Sequence, residues 1–222
     1  MRQLKNKHEF NSAIIGILLG DGHMRNDHYL TVRHGGKQLQ YVDETVEYLS
    51  KYIQPSVVRS SVDKAGYAFR YANFNSSDLS YLYNKIYING KKTLTSKIIN
   101  RIDEVTLAFL YMDDGCLCLR KKKKGKTVCI ASREIYLSVN SFSFEEVECF
   151  QKYIERKFNI SFHITTDKGH PRMWCNTENT IKFLTLVAPI IHNFPTMYYK
   201  LDLKYKKKPI NFLPKNITSY NL

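Results

Sequence analysis

The residues of this chain that could do chemistry come in a repeated setting. "LLGDG", Leu18 to Gly22, ends an apolar run on one carboxylate and a glycine; "YMDDG", Tyr111 to Gly115, does nearly the same 93 positions later. A helix C-terminus carries partial negative charge, so a carboxylate placed there needs compensation. A divalent cation supplies it strongly, because its charge becomes the largest in the site. Mg2+ accepts carboxylate oxygens and keeps several waters, so one or two aspartates suffice. Two such helices side by side would bring Asp21 and Asp114 together, a pair that repels without metal and is suited to binding it. Metals held on carboxylates hydrolyse phosphodiesters by activating a water and stabilising the leaving oxygen. Asp-Gly alone is an ordinary turn dipeptide. Two copies, each after an apolar helix, carry more weight.

The partner follows from charge. Lys and Arg number 34 against 20 Asp and Glu, a net charge of +14. That excess implies a polyanion, either nucleic acid or an anionic membrane surface. The longest uncharged apolar run near the start, Ala13 to Gly20, is far short of the ~20 residues of a span. "MRQLKNKHEF" is charged and lacks the apolar stretch and cleavage site of a secretory leader. Five unevenly spaced cysteines read as free thiols in a reducing compartment. Cys116-x-Cys118 resembles half a zinc site, but no second pair accompanies it, so it reads as alternate positions on a strand.

Positioning such residues requires elements, and the elements repeat. "DETVEYLSKYI" (43–53) aligns with "FEEVECFQKYI" (144–154) at offset 101, and the turns "VDKAG" (62–66) and "TDKGH" (166–170) follow in the same order. The growth in offset matches a basic loop, "RKKKKGK" at Arg120 to Lys126, present in the second half only. "SAIIGILLGDG" reads as a buried helix capped by Ser12, and "TLAFLYMDDG" as its match capped by Thr106. Strands are expected at 28–34, 56–62, 67–74 and near 127–140, with helices at 41–53, 77–87, 144–158 and 178–192 and a second hairpin near 161–176. Each half is then αββαββα, an α+β fold with antiparallel sheets. The expected organisation is an N-terminal half over 1–92, a linker over 93–103 and a C-terminal half over 104–222.

"IIGILLGDG" and "LAFLYMDDG" together resemble the nine-residue motif of the LAGLIDADG homing endonucleases, in the single-chain form that carries two copies. "LAFLYMDDG", "NSFSFEEVE", "GKKTL" and "PTMYYKL" are similar to the omega-intron endonuclease branch of organellar introns. The resemblance covers about residues 11 to 203. It implies paired central motif helices and a saddle of antiparallel sheets that binds double-stranded DNA as a monomer, in an organelle such as the mitochondrion. It also implies catalytic roles for Asp21, Asp114, Lys92 and Lys200. Asp21 and Asp114 would hold Mg2+, with Mn2+ as a substitute, and the backbone carbonyls of Gly20 and Asp113 would be further ligands. The motifs depart from each other in one respect. The first has Gly16 and Gly20 where the second has Phe109 and Asp113, so the halves are expected to pack differently.

DNA would be held by two kinds of residue. The basic runs supply Arg120, Lys121, Lys122, Lys123, Lys124, Lys126, Lys204 and Lys206, which suit phosphates and carry no sequence information. Strands can enter the major groove, which nominates Arg33, Arg59, Arg70, Arg133, His163 and Arg172, with Asn140 beside them. Tyr67, Phe69 and Tyr71 read as core on the helix-packed face, and Trp174 likewise as core. The function expected is site-specific cleavage of both strands of a long DNA target, promoting intron mobility. The alternative is a group I intron RNA maturase on the same fold, with intron RNA as partner.

Overall fold

The computed structural model describes residues 6–25, 28–125 and 127–203. Lys126, Lys204 and Lys206 lie outside them. The first half runs α1 (Lys7–Leu19), β1 (His23–Arg25), β2 (Tyr29–Gly35), α2 (Leu39–Leu49), β3 (Pro55–Val62), β4 (Ala68–Asn75) and α3 (Ser80–Ile86). A small hairpin follows, β5 (Tyr87–Ile88) and β6 (Lys91–Lys92), then the short helix α4 (Ser96–Ile99). The second half repeats the order as α5 (Glu104–Asp114), β7 (Gly115–Lys124), β8 (Thr127–Ser138), α6 (Phe144–Phe158), β9 (His163–Asp167), β10 (His170–Cys175) and α7 (Thr177–Ile191). A 3-10 helix, Pro195–Leu201, closes the described chain.

The two four-stranded sheets have the same antiparallel topology, β1-β2-β4-β3 and β7-β8-β10-β9. This is the expected pair of αββαββα halves. α6 falls where the sequence placed it, because Ser143 and Glu146 form a full capping box at its start. α1 and α5 pack against each other at the centre. Both are buried nearly all round, α1 from Glu9 to Leu19 apart from Asn11 and α5 from Val105 to Met112.

The helix starts differ from expectation. α1 is capped by Asn6, whose side chain accepts from the Glu9 N–H, and α5 by Asp103, which accepts from the Thr106 N–H. Ser12 and Thr106 instead tie the helices together. Ser12 Oγ donates to Asp103 Oδ2 at 2.6 Å, and Thr106 Oγ1 donates to the Ser12 carbonyl at 3.1 Å. Hydroxyls look like caps in a sequence, but buried between two helices they serve the neighbour.

The unequal motifs interlock. A Cβ on Gly16 would stand 2.6 Å from the Thr106 carbonyl oxygen and 2.7 Å from Phe109 Cβ; one on Gly20 would stand 2.6 Å from Asp113 Cβ. The glycines of α1 are the recesses that receive the larger residues of α5. The basic run is also corrected: Arg120 to Lys124 is the far end of β7, paired with β8 across a bulge at Arg120/Lys121. The second half has a longer hairpin where a separate loop was expected.

Candidate active site

The acids sit at the ends of the paired helices. Asp21 follows the C-cap Gly20 of α1, and Asp114 is the last residue of α5. A helix leaves its final carbonyls without intrahelical donors, and here a lysine from elsewhere supplies each end. Lys92 Nζ donates to the carbonyls of Gly20 at 3.0 Å and Gly22 at 2.7 Å. Lys200 Nζ donates to those of Tyr111 at 2.9 Å, Gly115 at 3.0 Å and Met112. Gly22 and Gly115 are equivalent motif glycines, so the two lysines share that carbonyl position; Lys200 also reaches two carbonyls inside α5, whereas Lys92 holds the C-cap Gly20. The Gly20 carbonyl expected on a metal therefore already carries one donor.

Local sequence explains both lysines. Asn89 and Gly90 have φ of +51° and +74°, the pattern of a tight two-residue hairpin turn. That turn folds β6 back on β5 and delivers Lys92. Lys200 rides on the 3-10 helix, pinned by buried Phe194, Met197 and Leu201 and by the Tyr111 hydroxyl, which donates to the Lys200 carbonyl at 2.7 Å.

The charges shift one another. Burial, then the charge of Asp21, pushes Asp114 up to about 6, while Lys92 and Lys200 pull it down. Burial holds Lys92 and Lys200 below the ordinary lysine value, against the attraction of the aspartates. Asp113 points inward, its side chain 2% exposed against 48% for Asp21. Its Oδ1 accepts from the Tyr41 hydroxyl at 3.0 Å and its Oδ2 from the Asp21 N–H at 3.2 Å. Burial and the Asp21 charge hold the Asp113 carboxyl well above the usual range.

Sequence reasoning missed Tyr41 and His34. His34 is buried, with Nδ1 3.7 Å from Asp21 Oδ2 and Nε2 3.7 Å from Asp113 Oδ1. Burial lowers its pKa, against the pull of Asp21. The signal was present: Leu30, Val32 and His34 share one strand parity, and a histidine among core positions is informative.

Comparison with known proteins fits this geometry. The model of the LAGLIDADG DNA endonuclease family matches residues 11–183. The chain belongs to that family. A probable intron-encoded endonuclease 1 of Wickerhamomyces canadensis is 29% identical over 199 residues, covering 85% of this chain and 82% of that one. A RecA protein of Mycolicibacterium fallax is 27% identical over 92% of this chain, but the chain spans only about half of it, 49%. The homing endonuclease I-WcaI, solved bound to its DNA recognition sequence, superposes with a TM-score of 0.73 at 25% identity, over 90% of this chain and 88% of that one.

In this LAGLIDADG chain the sheets have an inner face on the helices and an outer face, and strand parity decides which residues lie on each. In the first sheet Leu30, Val32 and His34 pair with Phe74, Ala72 and Arg70 on the inner side; Thr31 and Arg33 pair with Asn73 and Tyr71 on the outer. A concavity of about 450 Å³ joins Asp21 to His23, Thr31 and Arg33 on that outer side. Arg59 pairs with Tyr71 in the same row as Arg33, and the Arg33 guanidinium lies 3.5 Å over the Phe69 ring.

Four expectations need correction. Arg70 lies on the inner parity and binds Asp43 of α2 at 2.7 and 2.8 Å. Arg133 is buried, on the parity of Ile135 and Leu137. Neither faces outward as a DNA reader. Tyr67 is 73% exposed, and Phe69 and Tyr71 are half-buried on the outer parity, not core. Trp174 is outer as well, its ring stacked with His163 at 4.6 Å and with Tyr136 at 6.4 Å.

The other candidates with described side chains are outward or exposed. Arg172 lies over the Tyr136 ring at 4.5 Å and 3.8 Å from Asp167. Arg120 donates to Glu134 at 2.7 Å and to the Tyr136 hydroxyl at 2.9 Å. Lys121, Lys122, Lys123, Asn140 and His163 are exposed.

Proposed function

We propose that the chain is a site-specific endonuclease that cuts both strands of a long DNA duplex, encoded by an organellar intron whose spread it promotes. The observation that carries this is the doubled site: two aspartates at the ends of adjacent helices, each end held by a lysine, half-buried Lys92 at one and buried Lys200 at the other. One chain supplies both helix ends of a single centre, so a monomer suffices for two strands, with its halves divided near the linker 93–103.

The donor set fits a hard divalent ion. Asp21 and Asp114 repel each other, and among the described residues no group of three or more His, Cys, Asp or Glu gathers into a closed cage. Two carboxylates and room for water suit Mg2+. Bound there, the ion would activate water and stabilise the leaving oxygen.

The chain's own groups do the rest. Lys92 and Lys200 hold a cation at each helix end, where a phosphate's charge would be stabilised. Asp113, fixed by Tyr41, holds the Asp21 backbone through its N–H. The outer faces would take the grooves, with Arg33, Arg59, His163 and Arg172 reading base edges and the β7–β8 hairpin on phosphates. No described helix is long and apolar enough to cross a membrane, and the net charge of +14 would serve nucleic acid as its polyanion.

The test is a duplex carrying the joined exon sequence that flanks the reading frame. The protein should cut both strands in Mg2+ and neither in EDTA. Tight binding of that duplex without cutting, under the same conditions, would favour the maturase instead.

A further inference from the structure

β7 leaves the second motif with Cys116 and Cys118 on its outer face. Alternate residues of a strand share a face, and the two sulfurs lie 3.6 Å apart. Cys116 is exposed and Cys118 half-buried. Neither belongs to the acid and lysine groups described above.

We propose that Cys116 and Cys118 are a reversible oxidation site, closing to an intrachain disulfide in the presence of a peroxide and thereby switching the adjacent nuclease centre off. The switching rests on the nuclease reading; the modification itself does not. The Cys116 sulfur attacks one peroxide oxygen, the O–O bond breaks, one water leaves and a sulfenic acid remains. The Cys118 sulfur then attacks the Cys116 sulfur, the S–O bond breaks and a second water leaves. Two thiols and one hydrogen peroxide give one disulfide and two waters, and both electrons go to the peroxide. A dithiol reductant reverses the bond by exchange.

Geometry makes this a switch rather than a staple. Residues two apart on an extended strand are separated by roughly 6.6–6.8 Å between Cα atoms, the upper edge of what a disulfide spans. Closure therefore bends β7 at Leu117. Exposed and strained disulfides are the labile, regulatory ones.

The bend would be felt at the catalytic end. Cys116, Leu117 and Cys118 are paired in register with Tyr136, Ile135 and Glu134, so bending disturbs that ladder. One residue earlier there is no slack: a Cβ on Gly115 would stand 1.9 Å from the Tyr111 ring, and its carbonyl is held by Lys200 at 3.0 Å. Displacing Gly115 displaces Asp114.

The sequence makes the site easy to read. Cutting after Lys and Arg releases Ile102–Arg120, which contains Cys116 and Cys118 and no other cysteine, while Cys129, Cys149 and Cys175 fall in separate peptides. The folded full-length protein is treated with hydrogen peroxide, blocked with N-ethylmaleimide and digested. The expected 102–120 peptide is lighter by two hydrogens, carries no maleimide and gains two after reduction. A peptide that takes two maleimides, or carries sulfinic acid without the bond, overturns the site. Cleavage by the oxidised protein should fall on the order of 100-fold, the scale of a ~1 Å misplacement, and return with dithiothreitol. Cys118→Ser should cut equally before and after peroxide. Formation of the bond with cleavage unchanged overturns the switch. A bond that forms in a protein that never cuts, even reduced, leaves the site standing and counts against the nuclease reading.

Discussion

Asp114 is the residue whose environment bears most directly on metal binding. Burial and the Asp21 charge raise it to about 6. The folded chain then holds that proton more tightly than the unfolded chain, where Asp titrates near ~3.9. Stability linked to Asp114 is therefore fully present below about pH 4 and lost as pH rises through about 6. A divalent ion competes with the same proton. Its affinity, read by calorimetry, should rise up to about tenfold per pH unit between pH 5 and 6 and flatten above about 6.5. An affinity unchanged from pH 5 to 7.5 would remove Asp114 from the metal site. Asp113 is a different residue despite its adjacency: it faces inward, bonded to Tyr41 and the Asp21 N–H.

At the scale of elements, the central contact is a fit between unequal partners. Gly16→Ala would place a methyl against the Thr106 carbonyl, a backbone atom that cannot rotate away. It should cost ~1–3 kcal/mol as overpacking, read by urea unfolding. Phe109→Ala, which opens a cavity, should cost ~3–5 kcal/mol. The double variant should regain only part of the Gly16→Ala cost, because Thr106 remains; additive losses would mean that the two helices do not meet there. The repeat was legible because the motif helices, the amphipathic helices and the turns each carry local patterns of their own. The faces of the strands were not. In β4 and β10 both parities carry apolar or aromatic residues, Phe69 and Tyr71 against Ala72 and Phe74, Trp174 against Met173 and Cys175. Periodicity then finds the strand but cannot say which side meets the helices. Arg70 and Arg133 were lost to the same ambiguity. The two lysines stood out through family resemblance as catalytic residues; their capping of the helix ends was not legible, since nothing near Lys92 or Lys200 in sequence points to a helix end.

For the whole molecule, charge and site must work together. On the proposed reading, a net charge of +14 would supply affinity for any duplex, and the outer faces of the sheets would supply choice. Replacing Lys121, Lys122 and Lys123 by Ala should weaken target and non-target DNA by similar factors. Neighbouring strand residues point to opposite faces, so the change should remove two phosphate contacts at most and lower the log-log salt slope by up to roughly 1.8. Loss of base preference at an unchanged slope would mean that the hairpin reads sequence. The central claim, one metal-dependent centre built from two helix ends, is tested most directly by separating cutting from binding. Wild type, Asp21→Asn, Asp114→Asn and Asp113→Asn are each assayed on the joined-exon duplex, labelled on either strand, in Mg2+. Asp21→Asn and Asp114→Asn should bind like wild type and cut neither strand to completion, while Asp113→Asn, which keeps an acceptor for Tyr41, still cuts both. If Asp114→Asn cuts like wild type and Asp113→Asn is dead, the second catalytic acid is Asp113, and Asp114 has no part in the centre.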